Sequence, residues 1–105
     1  MLLVQGDVFL KQVKKLPTGV KRINEAGTGY VLAEGESTGH SHQINDAVEV
    51  YEKGKTIYIH VEKPVALVHQ EHRPITIDEG IYKVGIVREY NPWSEKKKRV
   101  MRVVD

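Results

Sequence analysis

The sequence predicts a mostly β domain: a small antiparallel barrel or sandwich of about six to eight short strands with a short C-terminal helix. Three observations predict it. Apolar residues alternate with polar ones through most of the chain, which is the period of half-buried strands. Glycine-bearing polar stretches interrupt them at short intervals. Only the carboxyl end changes to helical spacing.

The elements follow in order. "LLVQGDVFLKQV", "GYVLAEG", "AVEVYEKG" and "PVALVHQ" are short apolar runs. "TIYIHV" sets Ile57, Ile59 and Val61 against Thr56, Tyr58 and His60, so one face is apolar. "PITIDEGIYKVGIVREY" carries Ile75 and Ile77, then places Tyr82, Val84 and Ile86 on one face. "LPTG", "EAGTG", "EKGK" and "DEGI" supply turn residues that close strands into hairpins. In "EYNPWSEKKKRVMRVVD", Asn91 can cap a helix whose first position is Pro92. Trp93, Val100, Met101 and Val104 then share one side of that helix.

At 105 residues the chain predicts one domain, a β-rich body over 1–90 followed by a basic C-terminal helix over 91–105. A charged fraction of 29% and a hydrophobic fraction of 40% belong to a folded globular protein. The net charge of +2 is too small for bulk electrostatics to recruit nucleic acid. The excess is concentrated in Lys96, Lys97, Lys98, Arg99 and Arg102, which read as the solvated side of the helix or as a phosphate-facing patch for RNA or DNA. The chain has no cysteine, which excludes disulfides, thiolate metal sites and cysteine nucleophiles. No signal-peptide core and no run of roughly eighteen apolar residues is present, so the expected setting is cytoplasmic, with no membrane partner.

Four of the five histidines fall in two clusters, "TGHSHQI" with His40 and His42, and "LVHQEHRPI" with His69 and His72. Residues two apart on a strand point the same way, so His40 and His42 share a face, as do His69 and Glu71. A bulge or strand end at Arg73 and Pro74 would turn His72 toward them. If the two strands are neighbours, the imidazoles and a carboxylate converge. That donor set suits zinc, iron, manganese or nickel where thiolates are lacking. The metal ligands expected are His40, His42, His69 and His72, with Glu71 and His72 as the catalytic residues of a metal-dependent hydrolase. A single histidine is more simply a hydrogen-bonded strand residue, and His60, beside Tyr58, reads as ordinary surface. The competing function is a metal-free nucleic-acid-binding protein or a histidine-dependent ribonuclease. It would use one histidine of each cluster as acid and base, with Arg73 stabilising the phosphorane.

"GHSH" on a predicted strand, then Gly54 and a second histidine strand, resembles the two metal motifs of the cupins. Those small β-barrels hold a metal with three histidines and a glutamate. The resemblance implies His40, His42 and one of His69 and His72 as ligands, with Glu49 beside Glu71 as candidate acids. Glu49 follows His42 at a longer interval than in that family, and no proline-glycine pair precedes the second cluster. A resemblance over nearly the whole chain is to a family of small proteins of unassigned function in bacteria and their phages. It is carried by "QGDVFL", "LAEGESTGHSH", "LVHQEHRPITIDEGIYKV" and "REYNPW". It implies a prokaryotic or viral intracellular setting and no activity. So small a β domain leaves strand edges to cover, so a homo-oligomer is expected, with a small-molecule, nucleotide or nucleic-acid substrate.

Overall fold

The computed structural model describes residues 1–34, 41–89 and 101–104, and these form β-strands joined by turns and loops. The strands are β1 (Leu2–Gln5), β2 (Val8–Val13), β3 (Lys21–Arg22), β4 (Tyr30–Glu34), β5 (Ser41–Ile44) and β6 (Glu49–Lys53). They continue with β7 (Thr56–Val61), β8 (Val65–Val68), β9 (Ile75–Ile77), β10 (Gly80–Glu89) and β11 (Met101–Val104). Two antiparallel sheets result. A seven-stranded sheet runs β1-β2-β10-β7-β6-β3 with β11 on β10, and a four-stranded sheet runs β4-β5-β8-β9. The architecture is therefore two sheets enclosing one core, not a closed barrel.

Period-two patterning accounts for that core. Val8 and Leu10 of β2, Val50 of β6, Ile59 and Val61 of β7, and Tyr82 and Val84 of β10 point inward from the larger sheet. Ile44, Val65, Leu67 and Ile77 meet them from the smaller one. Fully burying such aliphatic side chains contributes about 1.5–3 kcal/mol each. Tyr82 is buried with them because its hydroxyl donates to the Asp78 carbonyl at 2.9 Å. Burial raises the pKa of that phenol further above its ordinary value.

Two local expectations change. "EKGK" does close a hairpin, with Lys53 paired to Thr56 around Gly54. "DEGI" instead carries the chain from β9 in one sheet to β10 in the other. The helix expected over 91–105 is not what forms at its end: 101–104 are strand β11, with Val103 opposite Val87 and Val104 opposite Ile86. A tetrapeptide ending in two β-branched valines fits a pleated neighbour better than a helical turn. Asn91, Pro92, Trp93 and the lysines Lys96, Lys97 and Lys98, with Arg99, lie outside the described residues. Arg102 is on β11, opposite Arg88.

Among the described residues, no helix is long and apolar enough to cross a membrane.

Candidate functional site

The two histidine segments are neighbours, as the convergence argument requires. β5 pairs with β8, Gln43 opposite Val68 and Ile44 opposite Leu67. Along β5, His42 and Ile44 alternate inward while Ser41 and Gln43 turn outward, so His42 is only 2% exposed. β8 ends at Val68, which puts His69, Gln70, Glu71 and His72 in the loop to β9 rather than on a strand. The Ser41 N–H donates to Gln70 Oε1 at 2.9 Å and ties that loop to the start of β5.

Three imidazoles gather there. Ring centres are 4.3 Å apart for His42 and His69, 4.6 Å for His69 and His72, and 5.9 Å for His42 and His72. Imidazoles sharing one tetrahedral zinc would have centres about 5 Å apart, so these spacings bracket that value. The His42 and His72 rings are near parallel at 16°, with His69 tilted by 37° and 48° to them, and closing the three round one ion requires the exposed His72 ring to turn. His40, the fourth expected ligand, lies outside the described residues.

The sequence reading missed two members of this site, Gln5 at the end of β1 and Asp7 in the turn to β2. Gln5 is 3% exposed, and its amide nitrogen donates to the Leu67 carbonyl and the Arg73 carbonyl, each at 2.8 Å. Both amide hydrogens are thereby committed. Gln5 Oε1, 2.9 Å from His42 Nδ1, must accept, so Nδ1 carries a proton. The other nitrogen, Nε2, lies 3.2 Å from Asp7 Oδ1. Burial first, and then the neighbouring His69, lower the pKa of His42 below 6.5, against the pull of Asp7. At neutral pH the ring is therefore mostly uncharged, with an Nε2 lone pair facing a carboxylate. Between them is a place for one cation, a proton or a metal.

Gly6 lets the turn come this close. Its φ is +61°, and a Cβ there would stand 2.6 Å from His72 Nε2 and 3.1 Å from His42 Cε1. The only advance signal was a glutamine ending an apolar strand immediately before a glycine-acid turn, which reads first as hairpin punctuation.

His69 has the opposite arrangement. Its Nδ1 accepts the Glu71 N–H at 3.0 Å, so the neutral ring holds its proton on Nε2. Coordination through Nδ1 would cost that hydrogen bond. Glu71, expected as ligand or base, is exposed on the same loop.

A second group lies on the larger sheet. Among the described residues, one trio has donor atoms all within 4.8 Å of one another: Glu49, His60 and Glu62. Register explains it, because Glu49 of β6 is opposite His60 of β7, and Glu62 lies two residues further along. They line a cleft of about 200 Å³ with Arg22, Ala26, Gly27, Ala47 and Val48. Here the hydrogen bonds close without a metal. Glu49 Oε1 takes the Tyr51 hydroxyl at 2.8 Å and pairs with His60 Nδ1 at 2.9 Å. The His60 bond, then the Tyr51 bond, holds the Glu49 pKa below 4.5, and the same hydroxyl bond raises that of Tyr51. Glu49, the acid implied by the cupin resemblance, is thus engaged on the larger sheet. His60 is hydrogen-bonded to Glu49 rather than plain surface.

Fold and site define a small all-β protein with a histidine cluster at the junction of its two sheets. Residues 4–87 match the model of a domain of unknown function, DUF8820, and the chain belongs to that family. No curated protein and no solved structure matches it.

Proposed function

We propose that the protein binds a divalent transition metal between the two sheets and uses it for hydrolysis. The observation that carries this reading is the His42 lone pair aimed at the Asp7 carboxylate at 3.2 Å in a neutral, buried ring. Two lone-pair donors held this close, with no proton between them, are stabilised by a cation. His42 Nε2 and Asp7 would start the coordination, and His72 would join by rotation of its exposed ring. His69 would enter through Nδ1 in exchange for the Glu71 N–H, or serve as a nearby donor through Nε2. Nitrogen and carboxylate donors suit zinc, iron, manganese or nickel. A metal so held would acidify bound water, and Glu71, exposed on the loop after β8, is the carboxylate that would take its proton.

A cytoplasmic setting fits a cysteine-free chain. Self-association fits β1, an edge strand without charge whose Leu2 and Val4 are 59% and 57% exposed.

One observation favours a second reading, metal-free cleavage of a phosphodiester. His42 and His69, with ring centres 4.3 Å apart, present one bare and one protonated Nε2, the states needed for a base and an acid. The basic residues Lys96, Lys97, Lys98, Arg99 and Arg102 would then follow the nucleic-acid backbone.

Elemental analysis of untagged protein purified without chelator separates the two. Roughly one transition metal per chain, absent from Asp7→Asn and His42→Ala, supports the metal reading. No metal before or after reconstitution, with RNA cleavage that survives chelator, replaces it with the second.

A further inference from the structure

The metal reading leaves one buried side chain without a role. Gln5 contacts no expected ligand position on the solvent side, yet it touches three segments at once: His42 on β5, the Leu67 carbonyl on β8 and the Arg73 carbonyl beyond His72. The two carbonyls bracket the loop that carries His69 and His72. Because a carbonyl can only accept, the Gln5 amide orientation is fixed by chemistry rather than by choice of nitrogen and oxygen labels.

We propose that Gln5 is a positioning residue: it holds His42 as the Nδ1–H tautomer, so that Nε2 is the atom offered to a cation, and it sets the histidine loop against that atom. This rests on the metal reading for its purpose but not for its geometry. The alternative tautomer is the one His42 would choose without Gln5. A neutral imidazole beside a carboxylate places its proton toward the carboxylate, here as Nε2–H donating to Asp7. That arrangement satisfies both groups and removes the cation site. Gln5 denies it, because Oε1 has no donor other than His42 Nδ1 among the described residues. Hydrogen bonds of this kind to the far nitrogen of a ligating histidine set its tautomer and are worth about 10–100-fold in metal affinity.

The test uses the full chain, wild type and Gln5→Met, which keeps the length and apolar stem of the side chain and removes its donors and acceptor. Long-range proton–nitrogen NMR of chelator-treated protein reads the His42 tautomer, at a pH of about 8 where neutral imidazole dominates. Zinc affinity is measured separately by competition with a chromophoric chelator. The expected result is an Nδ1–H ring in wild type, an Nε2–H ring in Gln5→Met, and zinc affinity lower by about tenfold or more in the variant. An Nε2–H ring in wild type overturns the proposal, even if Gln5→Met fails to fold. An Nδ1–H ring in both proteins also overturns it, because something other than Gln5 then sets the tautomer. Wild type with the expected tautomer, a switched variant and no zinc uptake by either supports the positioning role and overturns the metal reading.

Discussion

The protein contains two histidine–carboxylate pairs, and they differ in what lies on the far side of the ring. His60 meets Glu49 at 2.9 Å, on the exposed side of the larger sheet, where its Nδ1–H can donate to the carboxylate. His42 meets Asp7 at 3.2 Å, but Gln5 has already claimed the one proton of the neutral ring. The first pair is complete in itself, whereas the second is complete only with an added cation. Distance between donor atoms would rank them the other way, since the Glu49, His60 and Glu62 donors are the convergent trio. Proton accounting and donor distance thus point to different pairs, and we follow the first because a hydrogen bond already made must be given up before an ion can bind.

The largest expected effect separates the pairs outright. His42→Ala should abolish stoichiometric metal binding, with at least about a 100-fold loss of affinity, because it removes a ligand and not merely its support. His60→Ala should leave metal content unchanged in the same elemental analysis. Thermal unfolding with and without zinc gives a second readout: zinc should stabilise wild type and His60→Ala but not His42→Ala. Metal loss from His60→Ala with retention in His42→Ala would reverse the comparison.

Next come the carboxylates. Asp7→Asn, which also removes a ligand, should cost about 100-fold in metal affinity while changing stability little, since the Asp7 side chain is 60% exposed. Glu49→Gln should do the opposite: unchanged metal affinity and a stability loss of about 0.5–1.5 kcal/mol, the usual net contribution of a hydrogen bond. Chemical denaturation at neutral pH measures the second, and calorimetric zinc titration the first.

Much of the frame behind these predictions was legible in the sequence. Alternation in "TIYIHV" and "PITIDEGIYKVGIVREY" put Ile57, Ile59 and Val61, then Tyr82, Val84 and Ile86, on apolar faces; Ile59, Val61, Tyr82 and Val84 are buried, and Ile57 and Ile86 are partly buried against the core. Convergence of the histidine clusters was conditional on their strands being neighbours, and β5 and β8 do pair, with His69 and His72 in the loop that follows. Topology was less legible, because "DEGI" has hairpin chemistry and yet joins different sheets, a choice made by long-range packing. Gln5 and Asp7 were hidden for a related reason. They lie far in sequence from His42, so only tertiary structure shows that a hairpin turn completes the histidine site.

pH sharpens the contrast further. Both pairs make stability rise with pH, but in separate windows. His42 has a folded pKa below 6.5, so between that value and 6.5 the unfolded chain binds a proton that the folded chain refuses. Raising pH through that window stabilises the metal-free protein. Glu49 has a folded pKa below 4.5, so its contribution is complete above 4.5 and is lost as pH falls toward the folded value. Denaturation midpoints across pH should show the lower window disappear in Glu49→Gln and the upper one in His42→Gln. If both windows persist in both variants, other groups control the acid response.

The smallest effect comes from two glycines in equivalent turns. Gly6 and Gly54 open two-residue hairpin loops with φ of +61° and +63°. Alanine at either position meets the same backbone strain, about 1 kcal/mol. Their surroundings differ: a Cβ at Gly54 has no atom within 4 Å, while one at Gly6 stands 2.6 Å from His72 Nε2. Gly54→Ala therefore measures the backbone cost alone. Gly6→Ala should add a displacement of the His72 ring, lowering zinc affinity by about tenfold, as loss of a supporting contact does. Equal stability loss with a difference only in metal binding would place His72 in the coordination sphere. Equal metal binding in both would remove His72 from it and leave His42 and Asp7 as the part of the site held by rigid strands and turns.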